Sequence, residues 1–378
     1  MATINIKEYL NKYINIRDKF RAMEDEEFDK LKGPLSKALV DYTFEQLLKD
    51  YTDGLTPSLD DWANLKKKKI DKDFISSTSV VGTNIIKRNM PHLYEVQNHK
   101  GKSIVSSWTQ EVLEKVLVTN RKSHSTPYVS EIIRQVGFVS GTSKVTIYRP
   151  LLTKRIVERF NSKHVLDVCV GWGGRMLGSV CVDGVSYTGI EPFSKTYEGL
   201  EQMKSELELT DEQVTLHNDC AETILPQLER KYDLALTSPP YYNLEIYTDE
   251  ETQSHHYGTY EVWVDNFLRP VIEGVLDKLV EGGKSCWSVK NFKTDGKYNL
   301  YDDVVRIHKE NGWVPMQEEV QVIASEEDAS AEENKENLVT VKQNVEFYVG
   351  NCLRPGLKDK DGNSKKSKEI TYVFIKEQ

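Results

Sequence analysis

The sequence predicts an α/β protein in which a mostly parallel sheet, ending in an antiparallel pair, follows a mainly helical N-terminal region of residues 1–140. From about Thr146 onward, apolar runs rich in Val, Ile and Leu (residues 164–170, 186–192, 213–219, 232–238 and 284–290) alternate with helix-like stretches. That alternation is the texture of a parallel sheet wrapped by helices. The last two runs, residues 313–323 and 369–377, have no helical pattern between them and read as an antiparallel closing pair. Residues 1–140 lack this rhythm and read as helices, 42–51 and 107–118 among them, parted by polar turns.

A chain of 378 residues with 38% hydrophobic content can bury one large core plus an appended one. It holds no run of about 18 uncharged apolar residues, and its start is charged rather than a basic cap on an apolar stretch. Neither export nor a membrane span is expected. Cys169, Cys181, Cys220, Cys286 and Cys352 are odd in number and show no CxxC spacing, which fits a reducing cytoplasm. The net charge of -9 is unevenly spread: residues 61–160 hold 18 Lys/Arg against 8 Asp/Glu, while residues 161–378 carry -16. A basic block beside an acidic one is the asymmetry of a segment that meets a polyanion. Lys66, Lys67, Lys68 and Lys69 lie in that block, and a solvated surface explains them equally well. The acidic stretch 325–337 reads as a disordered loop within an insertion at about 324–368.

A Gly-rich turn follows the first strand: Asp167, Val168, Cys169, Val170, Gly171, Trp172, Gly173, Gly174. Such a turn brings backbone close to a ligand, but alone it serves a dinucleotide, S-adenosylmethionine or a tight crossing equally. Glu191, 24 residues after Asp167 at the end of the second strand, can accept hydrogen bonds from ribose hydroxyls. The third strand ends in Asn218, Asp219 and Cys220, offering a carboxylate where an adenine amine would lie. Glycines at 171, 173, 174 and 178 do not fit the GxGxxG spacing of dinucleotide sites. A solvated strand end for Glu191 and a helix N-cap for Asp219 are the ordinary alternatives. Three acidic strand ends in succession favour the nucleotide-like ligand.

The fourth strand runs into Thr237, Ser238, Pro239, Pro240, Tyr241, Tyr242 and Asn243. Two prolines fix φ and remove two donors, so the carbonyls of this turn stay free to accept. An aromatic exocyclic amine is a poor nucleophile because its lone pair is delocalised. Fixed acceptors for its two hydrogens, Ser238 Oγ and the Pro239 carbonyl, draw it toward a tetrahedral geometry. Tyr241 offers a face to a base taken from its stack, with Tyr242 and Asn243 as further substrate contacts. The transfer itself is an in-line displacement governed by positioning. His255 and His256, behind Asp249, Glu250 and Glu251, lack zinc-ligand spacing, so a polar loop over the pocket and no metal are expected. Tyr241, Tyr242, Tyr247, Tyr257 and Tyr260 either line a substrate path or pack under a loop, and Trp287 and Trp313 read as core.

Asp167 to Gly174 resembles the DPFxGxGT cofactor motif of the DNA amino-methyltransferases, and Thr237 to Tyr241 is similar to their (D/N/S)PP(Y/F) catalytic motif in its TSPPY form. The likeness covers roughly residues 146–378. It implies a Rossmann-like class I methyltransferase fold, S-adenosyl-L-methionine as cofactor, and DNA as partner, held as a duplex with a flipped base. It also implies that Asp167, Gly171 and Gly173 shape the cofactor pocket, with Cys169, Trp172, Gly174 and Cys220 in the same elements. Glu191 would hold the ribose, Asp219 the adenine, and Ser238, Pro239, Pro240 and Tyr241 would carry catalysis. The segment from Ile147 to Leu152, Pro150 included, resembles the stretch that closes over the methionine end.

Val168 and Cys169 replace the usual Pro-Phe and remove adenine stacking from that position. No room between the two motifs is left for a target-recognition domain, so recognition is expected from residues 1–140 with their lysines, or from the insertion after Ile323. The Ser form leans toward cytosine N4, with adenine N6 as the alternative. Cytosine C5 chemistry needs a Cys after a Pro, and none of the five cysteines has one. RNA, a protein glutamine, and a catalytically silent DNA-binding module remain open as other readings. The likeness leaves room for a restriction endonuclease partner and places the protein in the cytoplasm of a bacterial or phage-infected cell.

Overall fold

The computed structural model describes residues 23–70, 79–122, 129–142, 145–323, 338–349, 353–358, 364–366 and 369–377. Its strands are β1 (His164–Asp167), β2 (Ser186–Ile190), β3 (Val214–His217), β4 (Tyr232–Thr237), β5 (Leu279–Val289), β6 (Trp313–Pro315), β7 (Gln317–Ile323), β8 (Leu338–Asn344), β9 (Glu346–Tyr348) and β10 (Ile370–Lys376), besides several two- to six-residue pairings. The eight-stranded central sheet runs β6-β10-β5-β4-β1-β2-β3, with β9 also on β10. Neighbours among β1 to β5 are parallel, whereas β10 is antiparallel to both β5 and β6. A reversed strand inserted between the fifth and sixth distinguishes the class I methyltransferase fold from the all-parallel dinucleotide sheet, so the expected architecture is present.

Strand side chains alternate between the two faces, and both faces are covered. Val165 of β1 and Leu234 of β4 enter one core, while their neighbours Leu166 and Ala235 enter the other. Trp287 and Trp313 are buried as expected. The chain winds from β1 outward to β3 and then returns to β4 on the other side of β1, where Val165 pairs with Leu234 and Leu166 with Ala235. The order therefore reverses between β1 and β4, and ligands of open α/β sheets bind in the crevice beyond the carboxyl ends at such a point. Both motifs leave the sheet there.

The N-terminal helices are α1 (Asp25–Asp41), α2 (Phe44–Asp53), α3 (Ser58–Lys67), α4 (Thr83–Asn89), α5 (Gln110–Lys122) and α6 (Val129–Ser140). They do not form one unit ending at residue 140. α1, α2, α5 and α6 enclose their own core around Leu39, Leu47, Leu113 and Val136. α3 and α4 instead send Trp62, Leu65, Ile85 and Ile86 into the core of the sheet domain. Asp61 of α3 accepts hydrogen bonds from the backbone of Gly82 and Asn84 at 3.0 Å each, capping α4. The run of residues 313–323 also divides. β6 ends at Pro315, Met316 N–H still reaches the Val373 carbonyl at 2.7 Å, and β7 then pairs with β8 instead of β10. The acidic stretch 325–337 lies outside the described residues. Among the described residues no helix is long and apolar enough to cross a membrane.

Helices α7 (Pro150–Phe160) and α8 (Gly174–Val180) cross with their backbones in contact. A Cβ at Gly174 would overlap the Tyr148 carbonyl oxygen, and one at Gly178 the Pro150 carbonyl oxygen. Gly184 has φ +74° but no atom near the place a Cβ would occupy. Gly184→Ala is therefore expected to cost roughly 1–2 kcal/mol from the left-handed backbone alone, and Gly174→Ala more than about 3 kcal/mol from overpacking. Chemical-denaturation midpoints of the two variants test this order, and equal losses would refute the backbone-contact account.

Candidate active site

Asp167 is fully buried, and its carboxylate takes a hydrogen bond from Arg175 Nε at 2.8 Å, a second from Arg175 Nη2 at 3.3 Å and one from the Tyr187 hydroxyl at 2.7 Å. Arg175, at the start of α8, also donates to the carbonyls of Cys169 and Val170. Burial works against the charge on its guanidinium, and the Asp167 carboxylate and the Tyr187 and Tyr148 hydroxyl groups together more than offset it, so its pKa is raised. Asp167 thus holds the Gly-rich turn from behind and does not line the cavity in front of it. Gly171, at φ +57°, donates its N–H to Glu191 Oε2 at 2.8 Å, and Phe193 N–H reaches Glu191 Oε1 at 3.0 Å. Burial pushes the Glu191 carboxyl up to about 7, with these two N–H groups pulling the other way. Each oxygen retains a lone pair beyond those two bonds.

A cavity of about 1240 Å³ opens beyond the ends of β1 and β4. It brings together Cys169, Gly171, Trp172, Gly174, Glu191, Cys220, Ser238, Pro239, Pro240 and Tyr241, all singled out by sequence. It does not include Pro150, Asp167, Gly173, Asp219, Tyr242, Asn243, Lys66, Lys67, Lys68 or Lys69. Pro150 starts α7 and packs its backbone on α8, and Gly173 lets the turn pass under Leu200 of the next helix, α9 (Ser194–Glu206). Asp219 is exposed, and its carboxylate takes the Cys220 N–H at 2.7 Å.

The carboxylate that faces the cavity here is Glu222, in the short helix α10 (Ala221–Ile224). Its Oε1 accepts from the Tyr257 hydroxyl at 2.8 Å, while its Oε2 is buried and has no partner among the described residues. Tyr242, at φ +41°, is buried against Tyr260 and Tyr298 and donates its hydroxyl to the Gly258 carbonyl at 2.6 Å. Asn243 bonds Asp295 at 3.0 Å and Thr294 at 2.8 Å. Both residues anchor loops and lie outside the cavity lining. The four lysines are exposed at the end of α3, where Lys154 of α7 ties the carbonyls of Leu65, Lys66 and Lys68.

At the double proline, Ser238 donates its hydroxyl to the Ser288 carbonyl of β5 at 3.1 Å, which leaves its oxygen to act as an acceptor. Tyr241 is 6% exposed, packs edge-on to Phe292 at 5.5 Å, and carries Lys290 Nζ 5.6 Å from its ring centroid. Lys290 pairs with Glu369 at 3.3 Å. Glu245, bonded by the Tyr247 hydroxyl, is pushed up to about 7 by burial and by the nearby Glu369. Residues 245 and 246 form a short antiparallel ladder with residues 98 and 97, and α6 supplies Arg134 and Phe138 to the cavity wall. The N-terminal region therefore meets the site through α6 and this ladder, not through the lysine run.

Glu222, Arg175, Phe193, Lys290 and Glu245 were not singled out by sequence, and Arg149 entered only within the Ile147–Leu152 stretch. Lys290 was within reach of strand logic, since it follows β5 at the same edge as Ser238 after β4. Tyr241, Tyr247 and Tyr257 line the cavity, whereas Tyr242 and Tyr260 pack with Trp263. The rings of His255 and His256 lie 4.1 Å apart, and among the described residues no group of three or more His, Cys, Asp or Glu could hold a metal ion.

Neither a protein-family model nor a curated protein matches the sequence. Among solved structures the chain is similar to TrmN from Thermus thermophilus, with 12% identity and a TM-score of 0.36 over 60% of this chain and 48% of that one. It is similar to precorrin-6y C5,15-methyltransferase from Geobacter metallireducens GS-15, with 12% identity and a TM-score of 0.36 over 62% and 93%. It is also similar to NSun6 from Pyrococcus horikoshii with SFG, with 15% identity and a TM-score of 0.38 over 61% and 52%. The chain thus spans about half the length of TrmN and NSun6. At these identities and TM-scores no residue role passes from one chain to another.

A carboxyl raised from 4.5 to about 7 by burial contributes stability that is fully present below pH 4.5 and is lost as pH climbs to about 7. Glu245→Gln removes that dependence. The stability of the native protein relative to Glu245→Gln is expected to fall between pH 5 and pH 7.5, as read from denaturant midpoints, and a difference that stays constant would contradict the burial account.

Proposed function

We propose that the protein is an S-adenosylmethionine-dependent methyltransferase that methylates an exocyclic amino nitrogen of a base in DNA, with cytosine N4 favoured over adenine N6. The observation that carries this is the convergence of the Gly-rich turn with Glu191 and of the Ser238–Tyr241 turn, from adjacent parallel strands, on one cavity. The donors and acceptors of the cavity fit the cofactor. Glu222 Oε2 lacks the donor that an adenine amine brings. Glu191 retains lone pairs for ribose hydroxyls, and the half-buried Phe193 offers the apolar face that Val168 and Cys169 do not. Bound there, S-adenosylmethionine supplies an electrophilic methyl group on sulfur.

The chain's own residues then act on the amine. Ser238 Oγ, its hydrogen committed to Ser288, accepts one N–H, and the Pro239 carbonyl accepts the other. The lone pair is thereby drawn out of ring conjugation and aimed at the cofactor side of the cavity. Tyr241 gives the base a ring to lie against, with Phe292 and Lys290 holding that ring in place. Four carboxyl side chains line the cavity, those of Glu191, Glu222, Glu245 and Glu369. Arg134, Arg149, Arg175 and Lys290 line it as well, so the wall carries both signs of charge, and a base in a polynucleotide reaches it by leaving its stack. Ser238 in place of an acidic residue is what favours cytosine.

Ser238→Ala is expected to keep S-adenosylmethionine affinity by calorimetry while slowing tritiated-methyl transfer to DNA by about 100-fold, the scale of losing one positioned polar group. Tyr241→Phe, which keeps the ring, is expected to stay active. Mass spectrometry of nucleosides from DNA of expressing cells should show N4-methylcytosine, and methylation confined to RNA or protein would overturn the substrate assignment.

A further inference from the structure

The carboxyl groups of the cavity are not held alike. Glu191 takes two backbone N–H groups, Glu369 pairs with Lys290 at 3.3 Å, and Glu222 faces the place given to the cofactor adenine. Glu245 accepts one hydrogen bond, from the Tyr247 hydroxyl to its Oε2, and among the described residues its Oε1 accepts none. Lys290, the cation that acts on it, is matched to Glu369, and Arg134 is matched to Glu131. Two carboxyl groups thus share one lysine beside Tyr241. Burial pushes the Glu245 carboxyl up to about 7, with Glu369 acting in the same direction and Tyr247 and Lys290 against it. A carboxyl kept neutral can donate a hydrogen bond as well as accept one.

Its place is fixed from both sides. Leu244 N–H returns to the Tyr241 carbonyl at 2.7 Å, so Glu245 follows the Ser238–Tyr241 turn after one tight bend. Its backbone then pairs with Asn98, whose buried side chain donates to the Gly141 carbonyl at 3.0 Å. Gln253, also buried, takes the Tyr247 N–H at 2.9 Å and donates to the Glu245 carbonyl at 3.4 Å. Glu245 therefore lines the same cavity as Ser238 and Tyr241 on a loop tied down at both ends.

A base whose amine is held by Ser238 and Pro239 brings a second polar group to this wall. The ring nitrogen next to the amine, N3 of cytosine or N1 of adenine, carries a lone pair and no hydrogen, so it needs a donor once it leaves water. The double-proline turn offers acceptors for the amine and no such donor. We propose that Glu245 donates its carboxyl hydrogen to that ring nitrogen and so determines which base edge enters the site. The inference rests on the amine substrate proposed above. An ionised Glu245 would instead set a carboxylate against the nitrogen lone pair and repel the base.

Tritiated-methyl transfer to DNA by the full chain, followed as kcat/KM against pH, tests this. The native value is expected to be highest below about pH 7 and to fall about tenfold per pH unit above it, because the neutral carboxyl is lost. Glu245→Gln, whose amide keeps an N–H at every pH, is expected to retain most of the low-pH rate and to lose the decline. Glu245→Leu, with no donor, is expected to lose about 10–100-fold at low pH, the scale of one buried acceptor left unpaired, while keeping S-adenosylmethionine affinity by calorimetry. In synthetic duplexes carrying the methylated site, 3-deazacytosine in place of the target cytosine removes the acceptor. It should slow the native protein by a similar factor and slow Glu245→Leu no further. With adenine as the methylated base, 1-deazaadenine takes its place. Parallel pH profiles for the native protein and Glu245→Gln, or a deaza base methylated as fast as the natural one, would overturn the inference and leave the amine substrate standing. Absence of methyl transfer to any DNA base would remove the proposed function and the inference with it. Should Glu245→Leu fail to fold, Glu245→Gln and the deaza substrate with native protein decide the matter.

Discussion

Asp167 and Arg175 meet at the point where β1 turns into α8, 0% and 5% exposed, with Tyr187 of β2 closing the group from the side. Removing one partner of a buried ion pair costs about 3–5 kcal/mol because the other is left charged and dry. Here it would also release two carbonyls of the Gly-rich turn, those of Cys169 and Val170, which Arg175 restrains. The direction of the Gly171 N–H toward Glu191 depends on that restraint. The strand, the turn, the helix and the carboxylate at the end of the second strand are therefore one mechanical unit, and the site in front of it is only as ordered as this pair.

The second constraint is topological. Because the chain returns from β3 to the far side of β1, the end of β4 lies beside the end of β1, and two segments some 70 residues apart share one crevice. Ser238 is held by β5, Lys290 follows β5, and Glu369 precedes β10, so the reversed strand brings its own first residues to the same edge. The N-terminal helices complete the wall rather than hang from it. α6 lines the cavity, and the ladder between residues 97–98 and 245–246 ties the loop after the double proline to that region.

The strands β1 to β5, the Gly-rich turn, Glu191 and the Ser238–Tyr241 turn were legible in the sequence because each is written locally. Apolar runs show burial on both faces, glycines mark close approach, and prolines mark a rigid corner. What was not legible depends on partners far along the chain. Asp219 and Glu222 are equivalent as carboxylates in a sequence, and only packing shows that the first faces solvent while the second faces the cavity. Tyr242 and Asn243 adjoin the Ser238–Tyr241 turn but are committed to Gly258, Thr294 and Asp295. The departure of β7 from the sheet was hidden for a related reason: the apolar pattern continues past Pro315 while the partner strand changes.

In the proposed function the Gly-rich turn and Glu191 hold an adenosyl group so that its sulfur faces Ser238. The most direct test is an experimental structure of the complex with S-adenosylhomocysteine. Ribose hydroxyls are expected on Glu191, with the sulfur facing the Ser238–Pro239 turn across a gap that admits one methyl group and one nitrogen at a near-attack separation of about 3–3.5 Å. A ligand bound outside this cavity, or one whose sulfur points away from Ser238, would contradict it.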